Sequence, residues 1–162
     1  MKRVFTQTFG VVGALLVKEG KVLLVKEAGR KGADGGKWSH PAGWIDVGED
    51  VIAAAKREVE EETGYEFNPA HLLGIYSLVR KDLEKELGSS PHAIKLIFIG
   101  GISDKPGKDL YDDISETKWF SPEEIEKMGP SELRDIDIKQ MVKDYFSGKK
   151  YPIDIIRHAA SE

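Results

Sequence analysis

The sequence contains no cysteine, so disulfide bonds and metal sites built from thiolates are both excluded. It also has no apolar run as long as a membrane-spanning helix. The apolar run 9–17 follows two basic residues, but Lys18 and Glu19 end it and no small-residue cleavage site comes next, so it does not match a secretory signal. We therefore expect a cytoplasmic protein that does not enter a membrane.

An excess of one charge is missing as well. The chain carries 24 basic and 28 acidic residues, which gives a net charge of −4 at pH 7. This balance argues against binding to a nucleic-acid polymer or a membrane surface, and it leaves open an anionic small substrate bound through a metal. With 162 residues and no repeat, low-complexity tract or internal linker, the chain is expected to form a single domain over residues 1–162.

Apolar runs and turn residues predict an alternation of strands and helices. Glu19 and Gly20 predict a hairpin between the first two strands, and Pro41 and Gly43 predict a turn within 38–50. Ser121, with Glu124 three residues later, predicts a capped helix start. The predicted strands are 11–17, 21–28, 72–79, 93–101 and 116–120; the other predicted helices are 50–64 and 135–146; the predicted loops are 29–37, which we expect to be mobile, and 80–91. This order indicates an α/β or α+β fold.

The helix 50–64 ends in an unusual concentration of acids, "REVEEETG" (57–64). Residues three and four apart share a helix face, so Glu58, Glu61 and Glu62 project together, close to the negative end of the helix dipole. Pairing of Lys56 with Glu60 and of Arg57 with Glu61 would leave Glu58 and Glu62 without a counter-charge. A solvated acidic surface and a site for a hard divalent cation are both compatible with this pattern.

The residues upstream decide between these two readings. From Gly43 the chain continues with five residues, Glu49, seven residues, and then 57–65. This pattern resembles the Nudix box, Gx5Ex7REUxEExGU, where U is a bulky aliphatic residue. Every fixed position matches over 23 residues, and the single departure is Tyr65 at the final U, which concerns packing more than chemistry.

The resemblance implies a Nudix α/β/α sandwich, with a mixed sheet between helices and the box as a loop-helix-loop. It implies hydrolysis of a nucleoside diphosphate linked to another group, by attack of water on phosphorus, with Mg²⁺ or in its place Mn²⁺. Glu58, Glu61 and Glu62 resemble the metal-ligating glutamates, assisted by the Gly43 carbonyl. Glu49 resembles the supporting acid, and Arg57 the arginine that orients a glutamate.

Further residues are weaker candidates. Trp44 is a candidate for stacking on a substrate ring, whereas Trp38 and His40 are expected to be structural. Lys37, Arg80 and Lys95 are candidates for phosphate contacts, although surface cations usually have no such role. Asp113 and Glu116 are candidates for a further metal ligand or for the general base, which is otherwise Glu58.

The stretches "HPAGWID", "WFSPEEI" and "YFSGKKYPIDII" resemble a branch of small Nudix phosphatases that act on nucleoside di- and triphosphates and on a thiamin-precursor pyrophosphate. Trp44 departs from that branch, which often has histidine there, so its substrate range is in doubt for this chain. Hydrolysis of ADP-ribose or dinucleoside polyphosphates, removal of oxidised nucleotides, a non-catalytic nucleotide sensor and a homodimer remain open. A calcium-stabilised structural domain has no supporting Asp-x-Asp-x-Asp-Gly loop.

Overall fold

The first predicted hairpin forms, but its first strand is divided between two sheets. In this computed structural model, which describes residues 8–29 and 34–161, β1 is Thr8–Ala14, β2 is Val17–Lys18 and β3 is Lys21–Glu27. Glu19 and Gly20, with φ of 52° and 75°, make the turn between β2 and β3. The prediction of one strand over 11–17 was wrong, because Leu15 donates its N–H to Phe98 whereas the Leu16 carbonyl accepts from Leu23.

The larger sheet contains β1, β5 (Ala42–Trp44), β6 (Phe67–Val79), β7 (His92–Ile102) and β9 (Tyr151–Pro152). In the described part of the chain, these five strands lie in the order β5-β1-β7-β6-β9. β1 and β7 are parallel, with Val12 opposite Leu96, and the other pairs are antiparallel. The predicted strands 72–79 and 93–101 are therefore confirmed, each within a longer strand.

The smaller sheet is built around β3, which pairs with β2, with β4 (Trp38–Ser39) and with β8 (Ile114–Phe120). The expected combination of a mixed sheet with flanking helices is confirmed, although the strands form two sheets. Buried side chains lie in two clusters, one beneath the helix 51–63 and one beneath the C-terminal helices.

Helix α1 (Val51–Thr63) confirms the prediction for 50–64. The Asp50 side chain accepts hydrogen bonds from the N–H groups of Ile52 and Ala53, which satisfies two donors at the helix start. Gly64, with φ 73°, ends the helix in the left-handed conformation that glycine tolerates best. The buried residues of α1 are Ala54, Ala55, Val59 and Thr63, whereas Ile52 is only half-buried.

The two C-terminal helices lie on the other cluster. Helix α3 (Pro122–Lys127) begins with the predicted capping box, in which Ser121 and Glu124 bond to each other's backbone N–H. Helix α4 (Ile138–Phe146) begins three residues after the predicted 135. The reason is tertiary, since Asp135 and Asp137 both direct their carboxylates to the buried Lys95.

The predicted loop 80–91 is not a simple loop. It contains a 3-10 turn (Lys81–Leu83) and a one-turn helix, α2 (Glu84–Leu87), which ends at Gly88 with φ 75°. The other predicted loop, 29–37, falls partly outside the described residues, and 34–36 form a turn. None of the described helices is long and apolar enough to cross a bilayer.

Gly64→Ala tests the end of α1. The new Cβ would overlap the Lys108 carbonyl oxygen and hold a non-glycine residue at φ +73°. We expect a loss in the free energy of unfolding of about 1–2 kcal/mol from the left-handed backbone and about 1–3 kcal/mol from the overlap. Gly148→Ala is the matched control, because its φ is +88° and no atom lies within 4 Å of the added Cβ. Equal losses in urea unfolding for the two variants would contradict the close approach at Gly64.

Candidate active site

Arg57 binds three glutamates, Glu58 and Glu61 of α1 and Glu49 just before the helix. Its Nε and Nη2 donate to Glu49 Oε1 and Oε2 at 2.8 and 3.0 Å. Its Nη1 donates to Glu58 Oε1 at 2.7 Å and to Glu61 Oε2 at 3.3 Å. The expected Arg57–Glu61 pair is confirmed, and Arg57 also neutralises Glu58. The expected Lys56–Glu60 pair is wrong, because Glu60 lies 3.1 Å from Lys108 Nζ on the far side of the helix.

The two-pronged contact with Glu49 fixes the orientation of Arg57. Its hydrogen bonds lower the pKa of the Glu49 carboxyl, and they are the main reason that the pKa of Arg57 lies above its usual range. Glu49 also accepts the N–H of Asp46 at 3.2 Å. Both groups are therefore ionised, and the guanidinium plane is held in one position.

Glu62 is turned toward β5 rather than toward Arg57. It accepts the N–H of Ala42 at 2.9 Å. Burial is the main reason that the pKa of Glu62 is raised to about 8; the Ala42 N–H opposes this rise, whereas the charges of Glu58 and Glu27 add to it. Burial also raises the pKa of Glu58. Two crowded carboxylates thus meet beside one short strand without enough positive charge to stabilise both.

Gly43 brings the β5 backbone against Glu58. A Cβ at this position would overlap the Glu58 carboxylate, so any larger residue would push that side chain away. The glycine at the start of the box is therefore required for a close approach, and its φ is not in the positive range. β5 contacts two of the three predicted ligands, Glu58 through Gly43 and Glu62 through Ala42.

The donor chemistry of this cluster fits a hard cation, since carboxylate and carbonyl oxygens are the ligands that Mg²⁺ prefers. The side chains themselves bond to protein donors. Among residues 8–29 and 34–161, no three His, Asp or Glu side chains converge in a ligating arrangement. The reason is visible in the contacts above, because Arg57 holds Glu58 and Glu61 while the Ala42 N–H holds Glu62. A cation therefore has to compete with these hydrogen bonds.

A cavity of about 180 Å³ is lined by all three residues of β5. Trp44 lies on its wall, 41% exposed, and stacks on Phe9 with ring centroids 4.7 Å apart and planes at 26°. One face of the indole is thereby covered. Other residues lining the cavity are Gly43, Leu83, Leu87, Pro91, Arg80, Lys95, Arg134, Asp34 and Asp135.

Lys95 and Arg80 reach this cavity with their charges already paired. Lys95 is 3% exposed and donates to Asp135 Oδ2 at 2.6 Å and to Asp137 Oδ1 at 3.2 Å. Burial alone would raise the pKa of Asp135, but Lys95 and Arg134 outweigh it and lower that pKa to about 2. Arg80 binds Asp34, Asp82 and Asp135. Their predicted phosphate contacts would need a donor that these acids do not already occupy.

The remaining candidates lie apart from the acidic face. Asp113 is exposed and its carbonyl accepts the N–H of Ala28, and Glu116 lies 3.8 Å from Lys26 Nζ. In the described part of the chain, no hydrogen bond or ion pair joins either acid to α1. Lys37 Nζ lies 3.7 Å from Asp34. Their roles as ligand, base or phosphate contact remain predictions.

The structural reading of two residues is supported. Trp38 packs on the core, edge-on to Phe120 at 4.8 Å. His40 is 1% exposed, and burial, followed by the charge of Lys95, lowers its pKa to about 3, so the imidazole is neutral. Neither of its ring nitrogens has a hydrogen-bond partner among the described residues.

Sequence reasoning missed Glu27 and Arg134. Arg134 donates to Glu27 at 2.6 Å, and both charges act on the pKa of Glu62. The backbone of 132–134 bonds to Trp38 in both directions, which places Arg134 beside β4. An acid at the end of β3, two residues after the buried stretch 22–25, is the only sequence signal for Glu27, and no motif marks Arg134.

Comparisons with known proteins agree with this geometry. The model of the NUDIX domain family matches residues 6–142. The chain belongs to the Nudix family. It is 31% identical to "Phosphatase NudJ" of Shigella boydii over 90% of this chain and 88% of that protein. Nudix proteins are hydrolases that act on phosphorus-containing acid anhydrides, and this chain is a hydrolase of that class. The family generally uses divalent metals and acts on small nucleotide substrates.

Solved structures support the same assignment. A NUDIX hydrolase from Nitrosomonas europaea superimposes with a TM-score of 0.81 at 32% identity, covering 94% of this chain and 98% of that one. A MutT protein from Methanosarcina mazei has a TM-score of 0.68 at 25% identity, covering 86% of this chain and 94% of that one. The predicted family and fold are confirmed.

Gly43→Ala tests the close approach of β5 to α1. The methyl group should displace the Glu58 carboxylate and lower kcat/KM about 100-fold, as expected for a small misplacement of reacting groups. Gly107→Ala is the control, because no atom lies within 4 Å of its added Cβ. Both variants should melt within a few degrees of the wild type. Full hydrolase activity in Gly43→Ala would contradict a role for this contact.

Proposed function

We propose that this Nudix hydrolase cleaves a phosphoanhydride bond of nucleoside di- or triphosphates in a Mg²⁺-dependent reaction, with water attacking phosphorus. The observation that carries the proposal is the position of β5 between two sites. Its residue 43 contacts the acidic helix, and its next residue, Trp44, lines the cavity. A base against Trp44 would place the attached phosphates toward Glu58.

The indole of Trp44 on the cavity wall suits a ring without selecting a particular base, since every base presents a π-face. The apolar side chains of the cavity wall, Phe9, Leu83 and Leu87 beside Trp44, favour a substrate that carries a base. The similarity to proteins named Phosphatase NudJ supports the same choice.

The metal would be held by Glu58, Glu61 and Glu62 with the Gly43 carbonyl, and Mn²⁺ would substitute for Mg²⁺. When bound, the ion supplies positive charge to the phosphates and lowers the pKa of water. Arg57, fixed by Glu49, holds Glu58 and Glu61 side by side, and an ion bound by these carboxylates would compete with the hydrogen bonds from Arg57.

Proton removal from the attacking water needs a carboxylate close to the phosphorus. We assign this role to Glu58, with Asp113 and Glu116 as the alternative acids from later in the chain. The variants Glu58→Gln, Asp113→Asn and Glu116→Gln distinguish these assignments when the acidic limbs of their pH profiles of kcat are compared.

The main alternative is a hydrolase of ADP-ribose or dinucleoside polyphosphates. Solved neighbours include a bifunctional enzyme from Francisella tularensis that contains an ADP-ribose pyrophosphatase, but at 19% identity this likeness concerns the fold alone. A non-catalytic nucleotide sensor is the second alternative. The single domain over 1–162, the cytoplasmic location and the homodimer also stay predictions.

A substrate screen with the Trp44→Ala variant tests the proposal. Nucleoside di- and triphosphates should exceed ADP-ribose in kcat/KM, and only with Mg²⁺ or Mn²⁺ present. Trp44→Ala should raise KM for several nucleotides by about tenfold while kcat is unchanged, because stacking binds the ground state as well as the transition state. Phe146→Ala, an exposed aromatic outside the cavity, is the control. Preference for ADP-ribose, or an unchanged KM in Trp44→Ala, contradicts the substrate assignment.

Thermal melting with Glu61→Gln tests the metal ligands. Mg²⁺ or Mn²⁺ should raise the melting temperature of the wild type, because an ion that binds the native state stabilises it by mass action. Glu61→Gln should lose most of this shift and turn over substrate at least about 100-fold more slowly. Glu60→Gln, on the far side of the helix, is the matched control. An equal metal shift in wild type and Glu61→Gln would remove Glu61 from the site.

A further inference from the structure

Arg80 follows β6 at the edge of the cavity, and every edge of its guanidinium faces a carboxylate. Nε donates to Asp82 Oδ1 at 2.9 Å, and Nη2 donates to Asp34 Oδ1 and Asp82 Oδ2, each at 2.8 Å. Nη1 donates to Asp135 Oδ1 at 3.0 Å and to Asp34 Oδ2 at 3.3 Å. A guanidinium has five N–H donors in a rigid fork, and all five are engaged here. Arg80 has no donor left for a phosphate.

Residues 81–91, which we call the cap segment, are joined to Arg80 at both ends, by the chain itself and by a hydrogen bond. The Arg80 N–H donates to the Pro91 carbonyl at 2.8 Å and closes the segment at its base. Within it, Gly88 bonds to the Glu84 carbonyl and Ser90 to the Glu84 side chain. In the described part of the chain, the hydrogen bonds from 80–91 to other elements all come from the Arg80 side chain, to Asp34 and Asp135.

The cap segment supplies one apolar part of the cavity wall. Leu83, Leu87 and Pro91 line it, as does the stacked pair of Phe9 and Trp44. The distance between the cap-segment side chains and the Phe9–Trp44 pair depends on the position of the cap segment, because the two groups belong to different elements. Its own short helix, four residues long, cannot hold that position alone.

We propose that Arg80 is a positioning residue that holds the cap segment over the cavity, so that Leu83 and Leu87 together with Trp44 enclose the ring of the substrate. This inference rests on the proposed function and narrows it to substrates that carry a heteroaromatic ring. Sugar phosphates without a base gain nothing from the apolar walls, because their surface is polar. The ring contributes equally to binding in the ground state and in the transition state, so its loss raises KM and leaves kcat unchanged.

The binding test needs neither hydrolysis nor metal. Titration calorimetry compares AMP and CMP with ribose 5-phosphate, the same sugar phosphate without a ring. The wild type should bind both nucleotides more tightly than ribose 5-phosphate. Arg80→Gln and Arg80→Lys should weaken nucleotide binding about tenfold and leave ribose 5-phosphate unchanged, since lysine keeps the charge and loses the fork. Lys85→Gln, an exposed cation in the cap segment, is the control with the same charge change.

A second variant leaves the arginine and its acids intact. Leu83→Ala combined with Leu87→Ala should reproduce the loss of nucleotide binding and a KM rise of about tenfold with kcat within about twofold of the wild type. Val79→Ala, 44% exposed beside the cap segment, is its control. This variant decides the question if Arg80→Gln fails to fold.

An equal loss for nucleotides and ribose 5-phosphate in the Arg80 variants would overturn the proposal, because Arg80 would then act on the phosphate. Unchanged nucleotide binding in the double leucine variant would overturn it too. If the wild type binds AMP and CMP as described and hydrolyses no nucleoside di- or triphosphate, the proposed function fails and the ring site stands.

Discussion

The active-site face depends on the contact of a three-residue strand with the acidic end of a helix. Gly43 lies against the Glu58 carboxylate, and the preceding residue, Ala42, donates its N–H to Glu62. This contact is possible because Gly43 has no Cβ and because α1 is fixed at both ends, by Asp50 and by Gly64. Arg57 then neutralises Glu49, Glu58 and Glu61, which permits these acids to lie close together.

The same strand joins the acidic face to the cavity. Gly43 and Ala42 contact the acids, and all three residues of β5 line the cavity. Because β1 lies between β5 and β7, the base of the cavity belongs to the larger sheet. On one side of the cavity the charges of Lys95 and Arg80 are neutralised by ion pairs, and other parts of the wall are apolar.

Much of this was predictable from local patterns. The box helix, its glycine stop and the capping box before α3 are each set by interactions within a few residues, and a short window of sequence contains them. The spacing of the carboxylates predicted one acidic face, since a helix brings residues three and four apart together, and the resemblance to the Nudix box predicted the family and its chemistry. The partner of Glu62 was not predictable, because the Ala42 N–H reaches it through the fold.

By itself the sequence determined the family, through its resemblance to the Nudix box. It also determined the acidic face and the positions of most strands and helices, since these follow from periodicity and local hydrogen bonding. The tertiary structure alone decided that the run 11–17 divides between two sheets. Both parts of this run are apolar and largely buried, so the sequence pattern does not indicate which strand each part pairs with. It also decided the partners of Arg80, Lys95 and Arg134. Acids up to 107 residues away in the chain reach these cations only after the sheets and helices have packed.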